Sequence, residues 1–373
     1  MASIIVCINF NLEINTMKRR DFNFCLPSDL IAQRPSATRD EARLLIVDAY
    51  NCVFTHRYIR DLVEILPQGT VCVPNDVRVR HARLLLRRVG GGNGEALLLR
   101  ALSDGCFEAL VRPGARLKPG KRAKVIDHIT GNDLADLLIE DNAGEGLRRV
   151  RVIGSRGNLG WDAIDQIGQL PLPKYITHPA DREDEDRYQT VFCSKSGEAV
   201  AAPTSGLHFT KELISAIESR GSVWNPIRLH VGLGTFRPMT AENIEDHVMH
   251  EERYEISNKA ASILEPVLLE RSRPILAVGT TSLRAMEAAW DGAKLKRSGS
   301  TNIFIQPGYN LLTADMLLTN FHLPESTLFV LVSAILGINF AHEVYAEAIR
   351  ERYQFFSYGD AMLILNARKI SFI

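Results

Sequence analysis

A chain of 373 residues exceeds the usual size of one domain, so two domains are expected and a large core is within reach. The 44 basic and 44 acidic residues cancel, which leaves local imbalance, not net charge, as the informative quantity. Six cysteines (Cys7, Cys25, Cys52, Cys72, Cys106, Cys193) lie far apart with no Cys-x-x-Cys, so neither a disulfide framework nor a zinc ribbon is indicated and a reducing cytoplasm fits best.

Taken in chain order, Met1–Thr16 has no basic start and no small-residue cleavage pattern, and Met17-Lys18-Arg19-Arg20 looks like a second beginning. Residues 1–20 are therefore expected as an extension outside the fold. From Asp21 the breaks Leu26-Pro27 and Arg34-Pro35 frame a short turn, and a polar loop with Arg34, Arg39, Asp40 and Arg43 precedes a strand at Leu44–Asp48. A second strand, Val71–Val73, runs into the turn Pro74-Asn75-Asp76.

The composition then shifts. Between Asn75 and Arg156 there are 16 Lys/Arg against 10 Asp/Glu, a local charge of +6. Short apolar runs (Ala82–Leu86, Ala96–Leu99, Cys106–Val111, Arg151–Ile153) alternate with glycine and proline punctuation, the pattern of small antiparallel strands. Residues 75–158 are read as a small basic β-barrel inserted into a main domain of residues 21–74 and 159–373. Its cation clusters, one containing Arg78 and Arg83 and another running from Arg112 to Lys124, suit a phosphate backbone or a solvated rim.

Beyond the barrel, a proline-punctuated connector leads to the charge run Asp181–Arg187, expected as a solvated segment, and to a strand at Gln189–Cys193. Thr204-Ser205-Gly206 precedes a helix at Thr210–Arg220. Leu229–Phe236 reads as a buried strand that opens into a turn containing Gly232, Gly234 and Thr235. Arg237-Pro238 bars a helix from following, which argues against a dinucleotide-binding fingerprint.

At Pro274–Val278 a strand meets Gly279-Thr280-Thr281-Ser282 and then a helix. Backbone amides and hydroxyls there suit a carboxylate or ribose, or serve as an N-cap. Strands at Ile303–Gln306 and Leu317–Phe321 follow. The longest apolar run, Leu328–Ile338, falls short of the roughly 20 residues of a membrane span and is read as core. The fold class is α/β: a large α/β domain carrying the inserted antiparallel β-barrel.

His208, His230 and His322 each sit among bulky apolar residues near strand ends, where they serve as wall residues or as three ligands of an open zinc site. No Gly-x-Ser-x-Gly elbow or P-loop lysine motif is present, which weighs against ordinary hydrolases and nucleotide triphosphatases.

Together, Asp29–Pro35, Asn75–Val79, Ala201–Phe209, His230–Phe236, Met249–Ile256, Gly279–Arg284, Gly308-Tyr309, Thr319–Thr327 and Tyr353–Ile364 resemble, in order, one family. It is that of the S-adenosylmethionine:tRNA ribosyltransferase-isomerases of queuosine synthesis. The resemblance spans about Asp21 to Ile364. Val77, the pair Arg80-His81, and Ser205 depart from its usual residues.

The resemblance implies transfer and isomerisation of the ribosyl group of S-adenosylmethionine onto 7-aminomethyl-7-deazaguanine at a tRNA wobble position. The product is epoxyqueuosine, with adenine and methionine released. It implies S-adenosylmethionine as co-substrate, tRNA bearing the precursor base as partner, no metal, no membrane, and a cytoplasmic protein, with a monomer favoured.

A sulfonium acidifies its neighbouring 5′-carbon, so a general base is required. His208, His230, His322, Asp76, Glu251 and Asp360 are the candidates. Asn75, Asp76 and Asp360 could accept the cationic aminomethyl group and the guanine-like edge, and Arg34, Arg39, Arg78 and Arg83 could contact phosphates. Gly232, Gly234 and Thr235 are expected to form one wall of the S-adenosylmethionine pocket, faced by Thr204, Ser205 and Gly206 and by Gly279, Thr280, Thr281 and Ser282. The competing readings are a non-catalytic tRNA-binding protein and a zinc-dependent hydrolase.

Overall fold

The computed structural model describes residues 16–144, 146–194, 198–232 and 239–367. In chain order the strands are β1 (Arg43–Asp48), β2 (Val53–Tyr58), β3 (Val71–Pro74), β4 (Arg83–Arg88), β5 (Asn93–Ala101), β6 (Phe107–Arg112), β7 (Arg122–Ile126), β8 (Asp133–Asn142), β9 (Leu147–Gly154), β10 (Gly157–Asn158), β11 (Val223–Trp224), β12 (Arg228–His230), β13 (Glu252–Glu255), β14 (Ile275–Val278), β15 (Ser298–Thr301), β16 (Met316–Asn320) and β17 (Ala361–Leu365). The helices are α1 (Leu62–Ile65), α2 (Trp161–Ile164), α3 (Arg182–Arg187), α4 (Lys211–Ser219), α5 (Asn258–Glu270), α6 (Thr280–Ala289), α7 (Thr327–Leu336) and α8 (Ile338–Arg350).

The main sheet has the order β11-β3-β14-β16-β17-β1-β2. β11, β3, β14 and β16 run parallel; β17 is antiparallel to β16, and β1 is parallel to β17. Strand pleating sends successive side chains to opposite faces. Leu45, Val71, Ala277, Leu317 and Ile364 accordingly join a core shared with α5–α8, while Leu44, Cys72, Leu276, Leu318 and Leu363 face α1 and α4. With both faces covered, the central strands β14 and β16 are buried at every residue, as sheets carrying helices on both sides require.

The second sheet closes on itself: β9-β6-β5-β4-β7-β8, with β8 pairing back to β9, is a six-stranded antiparallel barrel to which β10 adds an edge. Its interior is filled by inward residues of alternate positions, such as Leu84 and Leu86, Ala109 and Val111, and Leu137 and Ile139. Trp161 of α2 packs edge-on against Phe107 at 5.0 Å. β7 and β8 had no counterpart in the expected strand set. The chain leaves the main sheet after β3 and returns beside its own exit, where Val79 bridges Ala199.

Several expectations are corrected. Met17–Arg20 belongs to the fold: Lys18 bridges Asn243, and the Arg19 amide donates to the Glu242 carbonyl at 2.8 Å. The charge run is helix α3, exposed over most of its length as expected of a solvated segment. Asp181 caps it by accepting from the Glu183 and Asp184 amides, and Asp184 itself is buried. Gln189–Cys193 and Ile303–Gln306 form no strands. Leu328–Ile338 is core, spanning α7 and the α7–α8 bend at Gly337, whose φ of 82° suits glycine. No single helix among the described residues is long and apolar enough to cross a membrane.

Candidate active site

The carboxyl ends of β14 and β16 open into a cavity of about 440 Å³, where ligands of open α/β sheets usually bind. Each strand passes through a turn into a helix whose N-terminus lines the cavity: Gly279 leads from β14 into α6, and Phe321–Ser326 leads from β16 into α7. Gly279 has φ +98°, a conformation that other residues rarely adopt, so the tight entry to α6 depends on it. It lies against Ser205, whose Oγ would be 3.6 Å from a Cβ added at Gly279. Two stretches about 75 residues apart in sequence are thereby brought into one wall.

Of the residues expected in the pocket, Thr204, Ser205, Gly279, Thr280 and Thr281 line the cavity. Gly206 and Ser282 do not. A Cβ on Gly206 would lie 2.8 Å from the Phe192 ring, and Ser282 Oγ is turned back onto the Val278 carbonyl at 3.1 Å. Gly232 sits just behind the wall, its amide donating to Glu252 Oε1 at 3.3 Å. Gly234 and Thr235 lie outside the described residues.

Among the six base candidates, His322 lines the cavity. Its Nε2 is 2.8 Å from Thr319 Oγ1, which in turn lies 3.3 Å from the Asn320 carbonyl. The Thr319 hydroxyl thus occupies Nε2, and the tautomer follows from which of its two neighbours receives its single proton. Burial pushes the His322 pKa down to about 3, which keeps the ring neutral.

His208 is buried behind the wall, its pKa lowered to about 4 by burial, against an opposing influence of the Asn320 side-chain carbonyl. His230 is held by the Glu198 carbonyl at 2.8 Å and by Glu255 at 3.3 Å. The three histidines form no ligand group among the described residues.

The remaining candidates hold structure together. Asp76 receives both the Nε and Nη2 of Arg228, at 3.0 and 3.2 Å. Asn75 is fully buried and clasps Leu229 by its amide and its carbonyl. Asp360 accepts from the Arg43 and Gln354 amides at 2.7 and 2.8 Å, while burial raises its pKa. Glu251 is exposed and bonded to Ser300 Oγ.

Arg34 is tied to Asp181 at 2.7 Å, which raises its pKa, and lies 3.6 Å from both Glu183 and Asp184. That guanidinium neutralises the acidic side of the group His178, Asp181 and Asp184, whose donor atoms fall within 4.8 Å of one another. Arg39 donates to the carbonyls of Asp186, Arg187 and Leu207, and burial lowers its pKa. Arg83 pairs with Glu95 at 2.9 Å. Arg78 makes no ion pair among the described residues.

Other lining residues were not singled out from the sequence. Tyr175 stacks on Phe356 with centroids 4.4 Å apart, and its hydroxyl reaches Ser357 Oγ at 2.5 Å; both rings line the cavity. Glu252 and Arg284, likewise lining it, form a buried ion pair of 2.5 Å. Asn320, at the end of β16, also lines it. Stacked rings and a buried ion pair in one cavity suit a ligand that carries both a flat ring and ionised groups.

Residues 19–364 match the family described as queuosine biosynthesis protein. S-adenosylmethionine:tRNA ribosyltransferase-isomerases of Clostridioides difficile and Acetivibrio thermocellus are each 43% identical to the chain over 351 residues, 93% of this chain and 100% of theirs. The crystal structure of an S-adenosylmethionine tRNA ribosyltransferase from Thermotoga maritima superposes with a TM-score of 0.51 at 30% identity, covering 92% of this chain and 100% of that one. The chain therefore belongs to the S-adenosylmethionine:tRNA ribosyltransferase-isomerase family of queuosine biosynthesis.

Proposed function

We propose that the protein transfers and isomerises the ribosyl group of S-adenosylmethionine onto 7-aminomethyl-7-deazaguanine at the wobble position of a tRNA, giving epoxyqueuosine and releasing adenine and methionine. The observation that carries this reading is a single cavity lined both by stacked aromatic rings and by a buried ion pair beside a helix N-terminus. S-adenosylmethionine has a purine at one end and a zwitterion at the other, with the reacting sulfonium between them.

In this reading His322 is the general base, taking the 5′-proton of the sulfonium at Nδ1. This step uses the tautomer in which Nε2 donates to Thr319 Oγ1 and Nδ1 carries the lone pair, and burial keeps the ring neutral. The tRNA backbone is carried by the barrel. Arg116, Lys118 and Lys121 in the β6–β7 connection and Arg122 at the start of β7 are all exposed and without ion pairs among the described residues. The reaction belongs to the cytoplasm, where the tRNA substrate is found.

The test is incubation of the protein with ribose-labelled S-adenosylmethionine and tRNA bearing the precursor base. Label in the tRNA together with free adenine and methionine is expected; an absence of label would overturn the reading.

A further inference from the structure

The Glu252–Arg284 pair is a place where buried charge is left incompletely satisfied. Arg284 is 6% exposed. Its Nη1 donates to Glu252 Oε2 at 2.5 Å and its Nε reaches the Ile303 carbonyl at 3.4 Å, but Nη2 has no hydrogen-bond partner among the described residues. A buried guanidinium N–H without an acceptor is costly, and Arg284 lines the cavity.

A second observation lies one helical turn away. α6 has no side-chain cap. Its first internal bond runs from the Leu283 amide to the Gly279 carbonyl, so the amides of Thr280, Thr281 and Ser282 precede the ladder. Thr281 Oγ1 is also buried without a partner among the described residues. Helix N-terminal amides, a hydroxyl and a guanidinium N–H form a donor set for a carboxylate.

The other member of the pair supplies the complement. Glu252 accepts from the Gly232 amide and from Arg284, and each carboxylate oxygen has a second acceptor site. Because the pair is neutral as a unit, a lone anion or a lone cation would leave net charge in the cavity wall. A zwitterion would not.

We propose that Glu252 and Arg284 bind the amino-acid end of the sulfonium co-substrate: the α-carboxylate on Arg284 Nη2 and the α6 amides, the α-ammonium on Glu252. This rests on S-adenosylmethionine being the cavity's ligand. It makes the pair a positioning device, which anchors the methionyl arm so that the sulfonium and its 5′-carbon are presented toward His322.

Isothermal titration of the full-length protein with S-adenosylmethionine and with decarboxylated S-adenosylmethionine, which keeps the sulfonium, purine and amine, tests it. The decarboxylated ligand is expected to bind at least tenfold more weakly, about 1.4 kcal/mol. Arg284→Lys keeps a cation beside Glu252 but lacks the forked second donor; it should weaken S-adenosylmethionine and leave the decarboxylated ligand unchanged. The neutral double variant Glu252→Gln/Arg284→Gln should shrink the difference between the two ligands to what the α6 amides contribute. Equal affinity of the two ligands for the unmodified protein would overturn this assignment while leaving the proposed activity in place. So would a carboxylate preference that persists undiminished in the variants. No binding of S-adenosylmethionine at all would remove both.

Discussion

His208 and His322 are carried into the interior uncharged, and the two imidazoles tie stability to pH in a stated direction. Their folded pKa values, about 4 and about 3, lie below the ordinary 6.5, so below pH 6.5 the unfolded chain binds protons that the folded one refuses. Their stabilisation is complete above pH 6.5 and is lost as pH falls toward 3, on the order of 3 kcal/mol for each group. Urea midpoints measured from pH 7 to pH 4 should fall, and His208→Gln should flatten part of that slope. His322→Ala should lower ribosyl transfer by about 10²–10⁴-fold while S-adenosylmethionine binding, read by calorimetry, is retained. At this scale sequence distinguished little. The three histidines had the same apolar surroundings, and what separates His322 from His208 and His230 is a hydroxyl three residues away and the direction of a strand. Glu252 and Arg284 stand 32 residues apart, and in sequence each reads as an ordinary surface charge.

Elements are held to one another by side chains that bond to more than one of them. Asn75, at the end of β3, donates to the Leu229 carbonyl at 3.0 Å and accepts from the Leu229 and Val77 amides at 3.1 and 3.3 Å, which locks β12 beside the main sheet. Asn75→Ala would orphan buried backbone groups on both strands. A loss of about 3 kcal/mol in chemical denaturation is expected, and an unchanged midpoint would show that water replaces the amide. The junction with the barrel has similar character. Arg80 is buried, contacts Asp162 and Asp165 at 3.1 and 3.2 Å and lies 5.5 Å over the Trp161 ring, while His81 reaches Glu185 at 2.6 Å. These two departures from the family's usual residues are thus both paired with carboxylates. The Glu185 hydrogen bond raises the His81 pKa against burial, so this contact, unlike the buried imidazoles, weakens as pH rises. Legibility followed signal strength. Strand-to-helix turns marked by glycine and hydroxyls, as at Gly279–Ser282, were plain; β7 and β8 were hidden because their outward charges and turn residues outnumber a few inward apolar ones. Helix α3 was hidden because its cap, Asp181, is itself part of the charge run.

Across the molecule the basic excess is concentrated in the barrel, but most of its arginines are spent internally. Arg83, Arg87, Arg100, Arg112, Arg149 and Arg151 all have carboxylate partners. Composition therefore located the charged region but not the usable charges, since pairing across strands is set by register. Replacing Arg116, Lys118, Lys121 and Arg122 by glutamine should weaken tRNA binding and lower its salt dependence by roughly one unit of log–log slope for each phosphate that is no longer neutralised, with S-adenosylmethionine affinity unchanged. Arg34→Gln should leave that slope as it is, because its charge is already neutralised by α3. The pairing of β1 with β17 has a further consequence, in time. Leu44 lies opposite Ala361, so the first strand of the sheet waits for a partner made roughly 300 residues later, about 15–60 s at ordinary synthesis rates. Until then β1 and β2 can pair with each other but with no neighbour in the finished order. The barrel, whose strands are contiguous in sequence, can close first, and the middle of the main sheet is completed last.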